Sequence, residues 1–329
     1  MRRIGEALGE IKSLGLNRRS LAALKLEARE LSTYASTSIE GNPLPLTDVK
    51  RLLKKRSKHV RATEKEVLNY NQALQSLYKS IPAGKFSLSL QTVESIQGQV
   101  VAGLMENEAD SGHIRRDPVV IRNPRKLDEI VFIPPSAKDV KGLMRDLLAY
   151  IDNNIDQVDP IILAGIFHRQ CVIIHPFMDG NGRTTRLVTT AILGKAGFDL
   201  FEIFSFENYY NQNITQYFNA VGLQGDYYEL RDTIDFTHWL EYFAEGILDE
   251  LMRTRKALPD KTPPPPKLET HHKLIMDYID KHGSITQREY RELSPRSPAS
   301  RKLDFRKLQK LGLIKAKGTG RGTYYVKKS

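Results

Sequence analysis

Cysteine is almost missing from this 329-residue chain: Cys171 stands alone, so no disulfide can form within it. Its place in an apolar run makes it a small core residue rather than a reactive thiol. Long hydrophobic runs are missing as well. The apolar stretch from Ile161 to Phe167 falls far short of the roughly 18 residues that a membrane-spanning helix requires, so no membrane anchor is expected. The opening residues, Met1-Arg2-Arg3-Ile4-Gly5-Glu6, lack the apolar core of a secretory leader, which points to the cytoplasm. Acidic residues run short in one region only. The formal charge is +11, and residues 267–329 hold sixteen Lys and Arg against six Asp and Glu, so the rest of the chain is close to neutral. A basic tail on a neutral body suits an anionic partner, nucleic acid included, or serves merely as a solubilising surface.

What the chain does have is helical spacing. Leu143, Leu147, Leu148 and Ile151, then Ile161, Ile162 and Ile166, recur at intervals that predict a mainly α-helical body. One segment departs from this. Val119-Val120-Ile121 and Ile130-Val131-Phe132-Ile133 are β-branched runs flanking the turn-rich Asn123-Pro124-Arg125-Lys126, and they predict a β-hairpin. Pro259 and Pro263-Pro264-Pro265-Pro266 favour an extended spacer and mark a junction. The resulting division is a helical region over 1–60, a core over 61–257, a linker over 258–267 and a small domain over 268–329. In that last domain a helical pattern ends at His282-Gly283, Ser284 to Glu289 offers a capping signal, and a third helix spans about Ser297 to Leu311. The glycine-tipped basic run from Gly318 to Val326 follows. Three helices and such a hairpin resemble a winged helix-turn-helix, a scaffold that serves DNA and protein contacts alike. The adjacent His271 and His272 have no evident partners, and no cysteine or histidine cluster has zinc spacing.

The densest chemistry lies in His175-Pro176-Phe177-Met178-Asp179-Gly180-Asn181-Gly182-Arg183-Thr184-Thr185-Arg186. Apolar helical residues precede and follow the run, so it bridges two helices. Gly180 and Gly182 permit a tight turn around Asn181 whose amides face inward at the positive end of the second helix, which makes an anion cradle. Arg183 and Arg186, three residues apart, lie on one helical face and can hold successive phosphates. Asp179 is a hard oxygen ligand suited to Mg2+ bridging those phosphates. His175 can take a proton from an incoming hydroxyl near neutral pH. Phe177 anchors the loop in the core, and His168, seven residues before His175, reads as a buried imidazole. About nine specified positions at roughly one in twenty each give on the order of 10⁻¹¹ per start site, which removes coincidence as an explanation.

The run is identical to the Fic motif, His-Pro-Phe-x-[Asp/Glu]-Gly-Asn-Gly-Arg-x-x-Arg, without departures. The resemblance implies a helical core with a β-hairpin flap, and AMP transfer from ATP to Ser, Thr or Tyr hydroxyls of target proteins. It implies His175 as general base, Asp179 as the Mg2+ ligand, Gly180, Asn181 and Gly182 as the phosphate nest, and Arg183 and Arg186 as phosphate clamps. Gly112-His113-Ile114-Arg115 and the hairpin after it, with Val119, Val120, Ile121 and Arg122, look like the flap that aligns a target segment by strand addition. Tyr227 and Tyr228 look like the tyrosine pair that lines the nucleotide pocket in many members.

Ser36-Thr37-Ser38-Ile39-Glu40-Gly41-Asn42 is similar to the family's inhibitory pattern, [Ser/Thr]-x-x-x-Glu-[Gly/Asn]. By that resemblance Glu40 bonds Arg186 and takes the room of the γ-phosphate, which makes the chain a self-inhibited adenylyltransferase. The alternatives are transfer of UMP, phosphocholine or phosphate, since the motif specifies a phosphate grip more firmly than a base, and removal of AMP. From another class comes a DNA-binding regulator whose Fic body senses nucleotide. Self-modification and homodimers also follow from the resemblance.

Overall fold

Apolar residues at helical spacing become helices through most of the chain. The computed structural model describes all residues except 15, 17, 56–59, 124, 125, 199, 259–267, 312 and 329. It divides into two compact units, Met1–Leu258 and Pro259–Ser329. The first contains α1 (Arg2–Ser13), α2 (Arg18–Ile39), α3 (Leu46–Lys54), α4 (Ala62–Ser80), α5 (Leu90–Val101), β1 (Ile121–Asn123), β2 (Lys126–Ile133), α6 (Ala137–Asn153), α7 (Pro160–Ile174), α8 (Asn181–Lys195), α9 (Phe206–Gln212), α10 (Ile214–Val221), β3 (Gly225–Asp226), α11 (Tyr227–Leu230) and α12 (Thr237–Ala257).

α7 and α8 lie at the centre of this unit. Asp159 caps α7 by accepting from the Ile161 amide, and Pro160 sits in the first turn, where its missing N–H costs nothing. Apolar residues surround α7 on every side, as a helix buried all round requires. Phe167 and Ile174 of α7, Leu187 and Ile192 of α8, and Trp239 and Phe243 of α12 are all buried in one core. Each contributes about 1.5–3 kcal/mol of apolar transfer. Gly165 allows α12 to come close, and Trp239 Nε1 donates to the Gly165 carbonyl at 2.8 Å. Ile4 and Ile11 of α1 and Leu24 and Ile39 of α2 belong to the same core, while Val49 and Leu52 of α3 pack with Val67 of α4 in a smaller cluster. α2 is also pinned by a buried carboxylate: Glu207 accepts from Ser32 Oγ at 2.8 Å, Tyr70 hydroxyl at 3.0 Å and Ser205 Oγ at 2.9 Å. That anchorage aims the C-terminal end of α2 at α8.

The hairpin forms, but with shifted limits. Val119 and Val120 precede β1, which pairs antiparallel with the longer β2 in an irregular register, Ile121 opposite Phe132 and Asn123 opposite Lys126. β3 adds in parallel to the other side of β2, leaving β1 at the sheet edge. Among the described residues, no helix is long and apolar enough to cross a membrane.

In the second unit, residues 259–267 of the expected linker lie outside the described residues. Beyond them come α13 (Thr270–His282), β4 (Ile285–Thr286), α14 (Gln287–Leu293), α15 (Pro298–Lys310), β5 (Ile314–Lys317) and β6 (Tyr324–Lys327). Gly283 ends α13 at φ +80°, and Thr286 and Glu289 cap α14 reciprocally. The sheet order is β4-β6-β5, with all pairs antiparallel. Ile275, Ile279, Phe305 and Leu308 pack beneath it, and the Phe305 ring stacks on Tyr325 at 4.0 Å.

His271 and His272, expected to be without partners, have them. His271 Nε2 lies 3.3 Å from Asp304 Oδ1 and 3.5 Å from Glu269 Oε2, and His272 Nδ1 accepts from the Glu269 amide at 3.3 Å. The α13–α15 packing that brings Asp304 to them leaves no mark in the spacing of the sequence. Glu269, His271 and His272 cluster closely enough to attract a metal ion, yet His272 Nδ1 is already spent in capping α13.

Candidate functional site

The motif loop is a turn held by its own side chains. α7 stops at Ile174 and His175 takes φ +50°, ψ +63°, a left-handed conformation uncommon for a residue with a Cβ. Asn181 braces the loop: its Oδ1 accepts from the Phe177 amide and its Nδ2 donates to the Phe177 carbonyl, both at 2.8 Å. The Asn181 side chain is therefore spent on the fold, and its backbone amide is what it offers an anion. Phe177 is fully buried beneath the turn. Gly180 turns the chain at φ +77° into α8, where a Cβ would press Val101 Cγ1 at 2.8 Å. The first-turn amides of α8 have no partner inside the helix and aim at whatever sits over Gly182.

What sits there is Glu40. A Cβ on Gly182 would run into Glu40 Oε1 and come within 2.9 Å of Arg186 Nη1. Glu40 Oε1 accepts from Arg186 Nη2 at 2.7 Å, while Ser36 accepts from the same guanidinium twice, through Oγ at 2.7 Å and through its carbonyl at 2.9 Å. Arg186 is 1% exposed. Burial alone would lower its pKa, but the Glu40 carboxylate, helped by the Tyr217 and Tyr70 hydroxyls, raises it on balance, so the guanidinium stays charged.

Arg183 is equally occupied. Its Nη1 lies 2.8 Å from Glu66 Oε1 on α4, and its Nη2 donates to both Asp179 oxygens at 3.2 Å. The Asp179 side chain is half exposed, at 51%, while that of Arg183 is nearly sealed, at 5%. Asp179 Oδ1 also accepts from the Gly180 amide at 2.6 Å, and Gln97 Nε2 donates to the Asp179 carbonyl at 3.0 Å.

Burial pushes the His175 imidazole down to about 4, with Arg115 adding to the fall and the Val172 carbonyl, Glu40 and Asp179 opposing it. The ring is neutral at pH 7. Its Nδ1 is buried without a partner at hydrogen-bonding geometry, which leaves Nε2 as the nitrogen an incoming hydroxyl can reach. Arg115 holds the turn from outside: its Nε donates to the His175 carbonyl at 2.8 Å, its amide to the Pro176 carbonyl at 2.9 Å, and its guanidinium to the Pro135 and Asp117 carbonyls at 2.5 and 3.1 Å. One buried side chain thus ties both ends of the hairpin to the motif.

The remaining expected site residues lie further out. Tyr227 packs with Phe132 and Ile173 beneath the hairpin, and Tyr228 is exposed, donating to Asp139 and accepting from the Ser136 amide at 3.0 Å. Ile121 and Arg122 are on β1. His168 is buried between Thr189 Oγ1 and the Tyr217 hydroxyl, 3.1 and 3.2 Å away, and burial holds its pKa well below the ordinary value. Cys171 is buried and its thiol is pushed up to about 12 by desolvation, so it is unreactive.

Sequence reasoning assigned no role to Glu66 or Gln97, placed Asn42 in the inhibitory run without a role of its own, and read Arg115 only as part of the flap. Arg115 follows the Gly112-His113-Ile114 run that drew attention to the hairpin, so a signal existed for it. Glu66 and Gln97 sit in ordinary amphipathic helices and carry none.

A helical body thus sets a neutral histidine beside a glycine-lined, arginine-flanked helix N-terminus, an arrangement chemically able to hold an anion. Residues 87–193, which include the 175–186 run, match the Fic/DOC family. It is 27% identical over 184 residues to protein adenylyltransferase Fic of Drosophila erecta, covering 54% of this chain and 35% of that protein. The chain thus spans about a third of the length of that curated relative. Its fold is similar to that of a Fic family protein from Desulfovibrio desulfuricans G20, with a TM-score of 0.63 at 20% identity over 99% of this chain and 94% of the other. A Fic domain containing signaling protein from Bacteroides thetaiotaomicron VPI-5482 gives a TM-score of 0.65 at 19% identity, over 78% and 96% of the two chains.

Proposed function

We propose that this protein transfers AMP from ATP to hydroxyl groups of protein side chains and that Glu40 holds it in an off state. The observation that carries the reading is the neutral His175 at the lip of the Gly180–Gly182 cradle, with Arg183 and Arg186 on the helix behind it. In the reaction, an acceptor oxygen bonds to the α-phosphorus and the bond from that phosphorus to the pyrophosphate oxygen breaks. The acceptor's proton passes to Nε2 of His175. The α8 amides and the two arginines hold the phosphate charge, and the exposed β1 edge suits an extended target segment.

Asp179 fits a magnesium ion by the chemistry of its donor set: a single half-exposed carboxylate beside a phosphate cradle is what Mg2+ uses when phosphates supply further oxygens. The ion would add positive charge against those phosphates. Glu40 occludes by position, because its carboxylate lies over Gly182 and bonds the guanidinium that a phosphate would need.

The test uses ATP labelled at the α-phosphate, with self-modification and a lysate as acceptors. A charge-assisted bond of ~1.5–3 kcal/mol converts to roughly a 10- to 100-fold gain of label in Glu40→Gly. Adding His175→Ala should abolish it. Equal labelling of wild type and Glu40→Gly sinks the switch, and label that persists without His175 sinks the assigned base.

For the second unit we propose a winged helix-turn-helix. The order helix, strand, helix, helix, strand, strand, with β4 closing on β6, supports that reading.

A further inference from the structure

Glu66 faces two ways. Its Oε1 lies 2.8 Å from Arg183 Nη1, and its Oε2 accepts from Asn42 Nδ2 at 2.7 Å. Asn42 is two residues beyond Glu40 in the turn that ends α2. It is buried and fully engaged: Nδ2 also donates to the Thr63 carbonyl at 2.9 Å, Oδ1 accepts from the Leu44 amide at 3.1 Å, and its own amide donates to the Thr37 carbonyl. The Glu40 amide donates to that same carbonyl, so Glu40 and Asn42 are parts of one hydrogen-bonded turn.

The two partners of Glu66 differ in what can move. Arg183 and Glu66 stand on α8 and α4, helices whose neighbouring residues Leu187, Tyr70 and Leu74 are buried in the common core. The Glu40 turn lies at a helix end, held at its tip by the Glu40–Arg186 pair and by Asn42. Glu40 can leave the space over Gly182 by rotating its side chain, which is partly exposed, or together with its turn, and the second route requires Asn42 to break from Thr63 and Glu66. Arg183 loses nothing when Asn42 departs, because its bond to Glu66 Oε1 is separate.

We propose that Glu66 is the fixed post of this site: it positions Arg183 for phosphate, and through Asn42 it latches the turn that carries Glu40. The inference deepens the proposed off state and rests on it. Glu40 supplies the block, Asn42 keeps it seated, and Glu66 links the seat to the first motif arginine. Releasing the turn clears the cradle without disturbing Arg183.

The test compares full-length wild type, Asn42→Ala, Asn42→Asp, Glu40→Gly and the double variant Asn42→Ala with Glu40→Gly. Label transfer from ATP is measured, with thermal melting in parallel. Loss of the amide bonds of Asn42 should raise labelling about tenfold, the equivalent of ~1.4 kcal/mol on the latch. Asn42→Asp sets a carboxylate against Glu66 and should act in the same direction. Glu40→Gly should mask Asn42→Ala, so the double variant should label like Glu40→Gly alone. A residue with only a structural role would instead lower labelling in both backgrounds. Glu66→Gln placed in Glu40→Gly should raise KM for ATP about tenfold, since Arg183 keeps Asp179 but loses the carboxylate that seats its Nη1.

Active Glu40→Gly together with Asn42 variants no more active than wild type overturns the latch. A double variant well below Glu40→Gly overturns it also, and an unchanged KM in Glu66→Gln overturns the positioning of Arg183. Inactive Glu40→Gly strikes the underlying reading of Glu40 instead.

Discussion

The base proposed here, His175, must be uncharged to take a proton, and its burial keeps it so. With its pKa pushed down to about 4, the imidazole binds a proton only below that pH, whereas in the unfolded chain it titrates near 6.5. The sign follows: below about 6.5 the unfolded state binds more protons, so this residue's contribution to stability falls as pH drops toward 4, and is complete above 6.5. For catalysis, kcat/KM of Glu40→Gly should hold from neutrality to about pH 5 and fall on the acid side near 4 or below, because the Glu40 carboxylate that pulls the pKa up is gone. A limb near 6.5 in the pH profile would show an exposed imidazole instead. The chemistry proposed for residues 175–186 was legible because the groups read as base, nest and clamps are local and share one turn. Asn181 shows the limit of that legibility: its amide braces Phe177, which only the folded loop reveals. Glu66 and Asn42 were silent because a carboxylate on a helix and an asparagine in a turn are ordinary until their partner is known.

Elements place those residues. α7 and α8 were legible from their apolar periodicity, and the hairpin from its β-branched runs, though Val119 and Val120 fall before β1. The closeness of α12 to α7 was not legible, because a lone glycine in an apolar helix does not say what approaches it. At Gly165 a Cβ would lie 2.7 Å from Leu240 Cδ2 and 3.1 Å from Phe243 Cδ1. Gly165→Ala should therefore lower stability by about 1–3 kcal/mol, seen as a fall in Tm of roughly 2–4 °C per kcal/mol. Unchanged melting would mean that α12 yields freely. The hairpin and the motif are joined by Arg115, a buried guanidinium satisfied by carbonyls, whose pKa is lowered by desolvation. Arg115→Ala in the Glu40→Gly background should cut labelling by roughly ten- to a hundredfold through misplacement of His175. Arg115→Lys should recover only part, since an ammonium lacks the planar fork that spans these carbonyls. Full activity in Arg115→Ala would deny the hairpin any role in holding the base.

At the scale of the whole molecule the charge is the guide. Residues 267–329 carry the excess of basic residues, and Lys302, Arg306 and Lys310 on α15 are exposed. The 329-residue chain should retard duplex DNA at low salt, with log K falling against log salt by about 0.9 per phosphate contacted. The shift should survive His175→Ala and be lost when those three residues become Gln. No shift at low salt would leave this unit as a protein-docking module. The sequence by itself determined the helical class, the boundary near residue 258, and which residues form the proposed base, nest and clamps, because each rests on periodicity or on groups a few residues apart. Only the tertiary structure decided that Glu40 lies on Arg186 across 146 residues, that Arg183 shares Glu66 with Asn42, and that His175 is neutral. Those facts depend on which helices pack together and what water they exclude, and desolvation is a property of the assembled core rather than of any stretch of chain.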